Sequence, residues 1–357
     1  MKKKLLFVTN HFVYSDGVAK VLLSLLNALD KEKYDITLTV FYSFDKKFAA
    51  RLDNAVKVKK VFGFYFRGLS RIVRKLPSAL WYKLIVKENY DAEIGFQGGI
   101  PISLIGKSRN KNAMHIAWMH GYNNEQTEAF EKCDKIAICA KSTAEKFKES
   151  FRYPERVFCV YNLVNDFEIQ EMAKEKPRIE KKYPFTFCSV GRLSPEKGFL
   201  RLLKCHKRLM DEGMYHNLWI VGDGSTGGEL RSYVKENKLN ESVILTGFDE
   251  NPYKYMAHCD CFVCSSYTEG YSTVCTESAI LGTPIISTLV NGAKELIEDN
   301  DCGIVVENDD EALYLGMKKM LLNKELLFEC KKNLENPKTP LFYRDRLKAA
   351  EEFFENI

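Results

Sequence analysis

The amino-acid sequence predicts an α/β protein made of two doubly wound, Rossmann-like domains that face each other across a cleft. Short apolar runs alternate with helical patterns along almost the whole chain, which favours parallel sheets with crossover helices. The runs form two series, and a charged segment poor in apolar periodicity, residues 165–184, lies between them. Open sheets of this kind bind ligands beyond the carboxyl ends of their strands, so the cleft is the expected site.

The strands of both sheets are predicted from the apolar runs. The first series comprises Leu5–Thr9, Ile36–Phe41, Val56–Val61, Ala92–Phe96, His115–Met119, Lys135–Cys139 and Val157–Val160. The second comprises Thr186–Val190, Leu218–Val221, Val243–Leu245, Cys261–Cys264, Ile285–Ser287 and Gly303–Val306. Helical patterns fall between several of them, as in residues 18–29, whose leucines recur on one face.

The length of 357 residues suits two domains of roughly 150–200 residues each. The charged segment is interpreted as a linker, with the hinge near residues 162–184. We therefore predict an N-terminal domain at 1–165 and a C-terminal domain at 166–340. Residues 341–357 form a final helix, beginning at about Arg344, that could return to the first domain.

Composition and charge exclude several classes of protein. The formal net charge of +5 is too small for a nucleic-acid-binding protein, so no nucleic-acid partner is expected. The first apolar run is about five residues long and ends at Asn10, whereas a secretory signal needs roughly 7–15 apolar residues. No run approaches the roughly 20 apolar residues of a transmembrane helix.

The eleven cysteines all lie after residue 132 and show no framework spacing. We predict buried free thiols, which indicates a reducing cytoplasm. Cys259, Cys261 and Cys264 are close enough in sequence to suggest zinc. Alternation along a strand, however, turns Cys264 to the face opposite the other two, which argues against a metal site.

The stretch "GRLSPEKGF" follows the strand 186–190. Gly191 allows a tight turn, Arg192 and Lys197 bring two cations into one loop, and a helix is expected to start near Ser194 or Pro195. Cations and exposed helix amides at the end of a strand favour a diphosphate. The alternative is a solvated turn whose cations pair with surface acids.

The stretch "EGYSTVCTESAILGTP" follows the strand 261–264. Glu269 is expected in the loop and Glu277 about one turn into the next helix, with the amides of residues 271–274 at the helix N-terminus. Because amides and cations can hold phosphates, the two carboxylates remain for hydroxyl groups, and a carboxylate grips a vicinal diol well. Metal binding is less favoured because the loop holds no third acid. Two unrelated surface acids remain the alternative.

Several motifs of the second domain, in their order and spacing, resemble the family-four retaining glycosyltransferases, which have the GT-B fold. The motifs are "VGRLSPEKG", "IVGDG" at 220–224, "LTGF" at 245–248, "EGYSTVCTE" and "GTPIIST". The resemblance covers nearly the whole second domain and only loosely the first. It implies a hexosyltransferase-type enzyme that uses a nucleotide-diphosphate sugar, expected to be a UDP-sugar, with retention of configuration and with no metal or other cofactor.

The resemblance also assigns roles to residues of the second domain. Arg192 and Lys197 would bind the diphosphate, Glu277 the ribose diol, and Glu269 the hydroxyls of the donor sugar. The other donor-binding residues implied are Gly191, the base-pocket residues Thr246, Gly247 and Phe248 (with Asp249 beside them), and the loop residues Gly270, Tyr271, Ser272 and Thr273.

Two stretches of the first domain resemble the family more weakly. "SDGVAK" corresponds to a Gly-rich opening that usually holds a Gly pair; here Asp16 replaces the first glycine and Gly17 remains to approach donor or acceptor. "WMHGYN" places His120 just past a strand, where the family has a histidine close to the transferred sugar. A core or capping histidine is the alternative.

The expected chemistry depends on stabilising the leaving diphosphate. Arg192, Lys197 and the helix amides would oppose the developing charge, as an oxyanion hole does. Retaining hydrolases use a carboxylate nucleophile, and none is secure in this sequence. The family expectation is attack on the same face, with the departing phosphate accepting the acceptor's proton.

Other classes were weighed against this interpretation. A nicotinamide-dependent oxidoreductase would carry G-x-G-x-x-G after the first strand, and the sequence there lacks it. A sugar-nucleotide epimerase or a phosphorylase shares the two-domain layout. A non-catalytic relative that binds polysaccharide or membrane also remains open, and would show no donor hydrolysis or transfer.

Residues 57–87 contain nine Lys/Arg and no Asp or Glu, interleaved with aromatic residues. A helix is predicted there, with Arg67, Arg71, Arg74 and Lys75 on one face and Leu69, Ile72, Val73 and Leu76 on the other, ending at Pro77. This pattern suits the surface of an anionic membrane; the alternative is an ordinary amphipathic helix packed on its domain. It predicts a cytoplasmic protein peripherally associated with the inner face of the cell membrane, acting on a saccharide or lipid-linked acceptor in cell-surface polysaccharide synthesis.

Overall fold

The computed structural model describes residues 2–14, 16–62, 64–66, 68–121, 128–355 and 357, apart from the side chain of Arg74. The chain divides into two compact units, Met1–Val164 with Arg344–Ile357, and Asn165–Tyr343. Each unit is built on a parallel β-sheet, so the predicted fold class of two doubly wound α/β units is confirmed.

The first unit contains a seven-stranded parallel sheet. Its strands are β1 (Lys3–Thr9), β2 (Tyr34–Val40), β3 (Lys57–Lys60), β4 (Ala92–Gly95), β5 (Met114–Met119), β6 (Lys135–Ile138) and β7 (Val157–Cys159). Their order is β3-β2-β1-β4-β5-β6-β7. The helices are α1 (Gly17–Ala28), α2 (Lys46–Ala49), α3 (Leu69–Arg74), α4 (Ser78–Ile85), α5 (Ile100–Ile105), α6 (Glu128–Glu131) and α7 (Lys141–Ser150), with a 3₁₀ turn at Pro154–Arg156.

The second unit contains a six-stranded parallel sheet. Its strands are β8 (Thr186–Val190), β9 (Asn217–Val221), β10 (Val243–Gly247), β11 (Cys261–Cys264), β12 (Ile285–Thr288) and β13 (Gly303–Val306), in the order β10-β9-β8-β11-β12-β13. The helices are α8 (Asp166–Ala173), α9 (Phe199–Asp211), α10 (Gly227–Glu236), α11 (Tyr253–Ala257), α12 (Thr273–Ile280), α13 (Ala293–Ile297), α14 (Asp310–Leu322) and α15 (Lys324–Asn333), with a 3₁₀ turn at Pro195–Lys197.

The last helix, α16 (Tyr343–Glu355), packs into the core of the first unit. The ring of Phe354 lies 6.1 Å from those of Phe7 and Trp118. Arg346 is fully buried and donates to the carbonyl of Asn162 at 2.9 Å. Because the helix contributes aromatic side chains and a buried cation to this core, removing it would open the core to water.

The segment interpreted as a linker begins with the helix α8, and the boundary between the two units, at Val164 and Asn165, falls within the predicted hinge region 162–184. Asn165 caps α8 by accepting from the amide of Glu168 at 3.1 Å. Ile169 and Ala173 are buried, and the helix packs on α11 and α12 of the second unit. This short helix buries only about one apolar residue per turn, and such a weak period is hard to recognise in the sequence.

Eleven free cysteines are present, of which ten are buried and Cys159 is half-buried. Among the helices of the described ranges, none is both long and apolar enough to span a bilayer. No group of three or more His, Cys, Asp or Glu side chains within those same ranges is placed to hold a metal ion.

Two buried histidines form a hydrogen-bonded chain in the second unit. The carbonyl of Met214 can only accept, so His216 donates from Nδ1 at 2.8 Å. Its Nε2 then accepts from Nδ1 of His206 at 2.8 Å, and Nε2 of His206 accepts from the hydroxyl of Ser242 at 2.9 Å. Burial lowers the pKa of His216 to about 4 and the pKa of His206 well below its usual value. Both rings are therefore neutral in the folded protein at neutral pH.

We expect acid to destabilise the second unit well before its carboxylates titrate. Since these histidines have lowered pKa values when folded, the unfolded chain binds more protons below pH 6.5, and the free energy of unfolding falls from about pH 6.5 down to about pH 4. For His216 alone the full loss is roughly 3 kcal/mol. Urea unfolding at several pH values should show a flatter pH dependence for His216→Gln than for the wild type. An unchanged slope in His216→Gln would contradict the assignment.

Candidate functional site

The strand order of the second sheet reverses direction between β8 and β11. The loops that follow these two strands, residues 191–198 and 265–272, are therefore neighbours at the point where doubly wound sheets bind ligands. They are also hydrogen-bonded to each other. Ser265 donates from its hydroxyl to the carbonyl of Lys197 at 3.0 Å, and the amide of Tyr267 donates to the carbonyl of Glu196 at 2.8 Å. The two motifs selected from the sequence thus form one site.

A glycine and a buried arginine make this close approach possible. Gly198 has φ +67°, and a Cβ there would lie 2.1 Å from the carbonyl oxygen of Ser265. Arg201, on α9, donates from Nε to the same carbonyl at 2.7 Å and from Nη2 to the carbonyl of Ser266 at 2.7 Å. Arg201 was not predicted from the sequence, where its signal is a lone cation inside the apolar run "FLRLL". It holds the second loop in place from behind.

Lys197 and Glu269 form an ion pair across the two loops. Nζ of Lys197 lies 2.7 Å from Oε1 of Glu269, and their side chains are 25% and 12% exposed. The hydroxyl of Ser266 donates to the same oxygen at 2.6 Å. Oε2 of Glu269 has no partner within the described part of the chain, so it remains able to accept from a ligand hydroxyl. The sequence predicted two separate ligand contacts; the structure joins their side chains.

Arg192 lies at the end of β8 with its side chain 70% exposed. Its nearest carboxylate is Oε1 of Glu196, at 3.5 Å. Glu196 has a closer donor, the hydroxyl of Ser194 at 2.6 Å, and this hydrogen bond lowers the pKa of Glu196. Arg192 is therefore only weakly engaged and can meet an anion.

The helix expected to start near Ser194 or Pro195 begins later. Pro195–Lys197 form a 3₁₀ turn, Gly198 reverses the backbone, and α9 starts at Phe199. The physical reason is the left-handed conformation of Gly198, which interrupts the helical path. Lys197 consequently ends the turn instead of lying inside a helix.

The N-terminus of α12 points its amides into this region. Ser272 caps the helix, accepting from the amide of Cys275 at 3.3 Å. The amides of Thr273 and Val274 have no acceptor among the described residues, as is usual for a first turn. Tyr271 is buried against Gly292, where a Cβ would lie 2.4 Å from the ring. This packing fixes the loop that carries Gly270 and leads into the helix.

Glu277 lies in the second turn of α12 and is buried. Its Oε1 accepts from the hydroxyl of Tyr253 at 3.3 Å. A carboxylate held in this way is positioned before any ligand arrives, which suits a contact that must be kept in one geometry.

The end of β10 adjoins Gly222, the residue that follows β9. The amide of Gly222 donates to the carbonyl of Gly247 at 2.9 Å, and Gly247 has φ +76°. Thr246 donates from its hydroxyl to the carbonyl of Gly247 at 2.8 Å, and the ring of Phe248 is exposed. An exposed aromatic ring at a strand end offers a stacking surface.

The carboxylate of Asp249, which follows this turn, accepts hydrogen bonds from within the protein. Burial alone would raise its pKa, but hydrogen bonds from the amide of Asn251, from Lys254 and from Tyr255 outweigh burial and lower it. The three donors lie at 2.8, 3.0 and 2.8 Å. Asp249 thus stabilises the turn and the start of α11.

Gly17 and His120 belong to the first unit. Gly17 opens α1, and Asp16 is the N-cap, accepting from the amide of Val18 at 2.9 Å. The aspartate that replaces the expected glycine therefore has a capping role. Ser15 of the first quoted motif and Tyr122 and Asn123 of the second lie outside the described residues.

His120 is held by two neighbours. Its Nε2 lies 3.1 Å from the carbonyl of Phe96, which can only accept, so Nε2 carries the proton. Its Nδ1 lies 3.2 Å from the side-chain oxygen Oδ1 of Asn162. Burial lowers the pKa of His120 to about 4, although both hydrogen bonds oppose this. Burial thus outweighs the two hydrogen bonds and favours the neutral ring at neutral pH.

Residues 170–336, which include both loops of the site, match the family model described as glycosyl transferases group 1. The chain is also 32% identical over 317 residues to the lipopolysaccharide core biosynthesis glycosyltransferase LpsE of Rhizobium meliloti, and the match covers 88% of each chain. The chain therefore belongs to the group 1 glycosyltransferases. The enzyme class expected from the sequence is confirmed.

Two further similarities agree with this family. Over 200 residues the chain is 34% identical to the N-acetylgalactosamine-N,N'-diacetylbacillosaminyl-diphospho-undecaprenol 4-alpha-N-acetylgalactosaminyltransferase of Campylobacter jejuni, a match covering 55% of this chain and about half, 53%, of that enzyme. The structure of Anabaena HepE in complex with UDP superposes with a TM-score of 0.75 at 16% identity, covering 100% of both chains. At that identity the superposition shows the fold, which is GT-B.

Proposed function

We propose that this protein is a retaining, metal-independent glycosyltransferase. It moves a sugar from a nucleotide-diphosphate sugar, a UDP-sugar, to a saccharide or lipid-linked saccharide in cell-surface polysaccharide synthesis. The proposal rests on the Lys197–Glu269 ion pair. In a nucleotide-diphosphate sugar the outer phosphate adjoins the sugar ring, so a cation for the phosphate and a carboxylate for the sugar hydroxyls must lie side by side.

The remaining donor contacts follow from the same geometry. Arg192, exposed at the end of β8, would add a second cation to the diphosphate, and the amides of Thr273 and Val274 would donate to it. Glu277 would hold the ribose diol, and Phe248 would face the base. The HepE structure contains UDP, which supports this class of donor.

The reaction breaks the bond between the anomeric carbon and the phosphate oxygen and forms a bond to the acceptor oxygen. The electron pair of the broken bond leaves with the diphosphate, where Lys197, Arg192 and the helix amides stabilise it. The acceptor's proton passes to the departing phosphate on the same face of the sugar. His120, neutral at this pH and held at both ring nitrogens by Phe96 and Asn162, would shape the site near the transferred sugar without contributing charge.

Transfer should proceed in EDTA and yield the anomeric configuration of the donor, because protein cations already oppose the phosphate charge. The experiment uses the purified protein, a panel of nucleotide sugars and product analysis by NMR. A thermal-shift screen selects the donor first, since ligand at 100-fold its Kd adds about 2.7 kcal/mol of stability. Inversion, or activity lost in EDTA and restored by magnesium, would refute this mechanism.

We further propose that residues 57–87 contact an anionic membrane. Leu69 and Val73 of α3 are buried, whereas Ile72 of α3 and Leu76, which follows the helix, are 55% and 43% exposed. The exposed large apolar side chains of this segment include Phe64, Phe66, Ile72, Leu76, Leu80 and Leu84. We call this set the apolar surface.

Cations lie along the same segment as the apolar surface. Arg71, Lys75 and Lys83 are exposed and have no acidic partner among the described residues, whereas Lys57 and Lys59 pair with Asp35 and Glu88. Arg67 and the side chain of Arg74, counted on the predicted basic face, lie outside what the structure describes. Exposed apolar groups beside unpaired cations suit the interface of an anionic bilayer. The protein would then act at the inner face of the cell membrane, from the cytoplasm.

Reversing two of these cations should weaken membrane binding. At about 1 kcal/mol per basic residue near an anionic leaflet, Arg71→Glu with Lys75→Glu should lower the partition coefficient by at least roughly tenfold. Co-sedimentation with anionic and neutral vesicles, at low and high salt, measures it. The matched control Lys331→Glu with Lys332→Glu, on exposed lysines of α15, should bind as the wild type does. Binding that ignores lipid charge would contradict the proposal.

A further inference from the structure

Arg201 is a buried cation on α9, and its hydrogen bonds within the described part of the chain end on neutral groups. It is 2% exposed. Besides the two carbonyls of the loop after β11, it donates from Nη1 to Oδ1 of Asn308 at 2.9 Å and from Nη2 to the hydroxyl of Thr288 at 3.4 Å. Burying a charge costs much free energy unless polar groups surround it closely. Displacing any of these acceptors is therefore unfavourable, and the guanidinium holds them in fixed places.

The acceptors of Arg201 come from the ends of three neighbouring strands. Ser265 and Ser266 follow β11. Thr288 is the last residue of β12, and Asn308 lies two residues beyond β13. The planar guanidinium, whose donors point in several fixed directions, can reach all three strand ends at once. A single side chain thus ties the loop after β11 to the neighbouring strand ends.

Asn308 extends this arrangement to the next residue of the same loop. Its Nδ2 donates to the carbonyl of Tyr267 at 2.9 Å and to that of Leu289 at 3.3 Å. The guanidinium carbon of Arg201 also lies 3.8 Å from the centre of the Tyr267 ring, within the range of a cation–π contact. Three successive backbone carbonyls, those of residues 265–267, are therefore held by Arg201 and Asn308.

The carbonyls held in this way lie just before Glu269. Ser266 connects them to the carboxylate, because its carbonyl accepts from Arg201 and its hydroxyl donates to Oε1 of Glu269 at 2.6 Å. Lys197 pairs with the same oxygen at 2.7 Å. Since Oε1 is held from two sides, the direction of Oε2 depends on where the backbone of this loop lies.

We propose that Arg201 and Asn308 are positioning residues for sugar transfer, which act on Glu269 through Ser266. The inference rests on the proposed function, and it extends that function from the side chains that would touch the donor to a pair that lies behind their loop. Without either residue, Lys197 and Glu269 would both remain, but the carboxylate would be displaced. A displacement of about 1 Å at a reacting group can lower the rate roughly 100-fold.

The test uses one substitution at each position. Arg201→Lys keeps the charge, but an ammonium cannot reproduce the fork of donors, so its effect reports the lost geometry and not a lost charge. Asn308→Ala removes the two bonds from Nδ2 at a half-buried position, where folding is less at risk. Arg208→Lys is the matched control, since it makes the same change on the same helix at a residue paired with surface acids. Unfolding temperatures establish that the variants fold, and Asn308→Ala carries the test if Arg201→Lys does not.

The position of the loop is measured first, by hydrogen exchange of the protein without ligand. The amide of Tyr267 donates to the carbonyl of Glu196 at 2.8 Å, so it is protected from exchange. Arg201→Lys should make this amide exchange at least about tenfold faster, and Asn308→Ala about threefold faster, the scales for losing a charged and a neutral hydrogen bond. Arg208→Lys should exchange as the wild type does. Wild-type exchange in both Arg201→Lys and Asn308→Ala would overturn the proposal.

Kinetics and binding then separate positioning from general damage to the site. Arg201→Lys should lower kcat roughly 10- to 100-fold. The Kd of the nucleoside diphosphate released from the donor, measured by calorimetry, should change less than about threefold, because that ligand lacks the sugar that Glu269 would contact. A loss of nucleotide affinity as large as the loss of kcat would contradict the proposal.

A double-mutant cycle tests whether Arg201 acts through Glu269. In the Glu269→Ala background no carboxylate remains to be positioned, so Arg201→Lys should change kcat by less than about twofold. An undiminished loss in that background would mean that Arg201 acts elsewhere, and the inference would be rejected. Failure of the proposed function is distinguishable, since the wild type would then transfer sugar from no donor of the panel while the faster exchange of Arg201→Lys persisted.

Discussion

Lys197→Ala and Arg192→Ala should each lower turnover roughly 10²–10³-fold, the scale for removing one preorganised electrostatic donor from a developing anion. Both cations lie in the loop after β8, but their surroundings differ. Lys197 is fixed by its 2.7 Å ion pair with Glu269, whereas Arg192 is 70% exposed and only 3.5 Å from Glu196. Because a fixed charge needs less reorganisation during the reaction, we expect the larger loss for Lys197.

Two controls are needed for these variants, one for the loss of a positive charge and one for the loss of the ion pair with Glu269. Lys204→Ala removes an exposed cation of α9 and should leave kcat unchanged. A double-mutant cycle with Glu269→Gln separates loss of the phosphate contact from the cost of leaving Glu269 unpaired. Steady-state kinetics with the donor found by thermal shift gives kcat and KM for each variant. Wild-type rates in both Arg192→Ala and Lys197→Ala would reject the diphosphate assignment.

Most of the fold could be predicted from the sequence because its strands are buried and apolar. All thirteen predicted strands are present, and β8, β11 and β13 have the predicted bounds. Parallel strands covered on both faces read as continuous apolar runs, which are easy to locate. The helix α8 was missed because its buried contacts are few and its composition is that of a linker.

The site was predictable to the level of its loops. Neighbouring parallel strands end at the same edge of a sheet. Once the strand order is known, the loops that carry the two motifs must therefore lie next to each other. The Lys197–Glu269 pair and the arginine behind it, Arg201, could not be foreseen, since both depend on distances of about 2.7 Å between loops 60 or more residues apart in sequence. The roles assigned to these residues stay predictions until the variants are assayed.

The exposed half of α3 shows a different limit of sequence analysis. A helical pattern identifies two faces but not which neighbour each face meets. Leu69 and Val73 are buried, whereas Ile72 and Leu76, on the same predicted apolar side, are exposed to solvent. Which of these side chains are buried depends on two hydrogen bonds of α4. Trp81 donates to the carbonyl of Val73, and Tyr82 donates to the carboxylate of Glu93. These tertiary contacts leave exposed part of the apolar side that the sequence analysis assigned to a membrane surface, with packing on the domain as the alternative.

Glu269→Ala and Glu277→Ala should separate catalysis from binding. Oε1 of Glu269 is paired with Lys197, whereas Oε2 has no partner in the described ranges. We expect Oε2 to contact the reacting sugar. Because that contact should strengthen as charge develops, Glu269→Ala should lower kcat. Glu277, buried and held by Tyr253, would grip the ribose equally before and during the reaction, so its loss should mainly raise KM for the donor. Hydrogen bonds to a charged group contribute about 1.5–3 kcal/mol, so each effect should be roughly 10- to 150-fold. Glu269→Gln and Glu277→Gln, measured alongside, keep the side-chain shape and test the charge alone. If Glu277→Ala lowered kcat and Glu269→Ala raised only KM, the two roles would have to be exchanged.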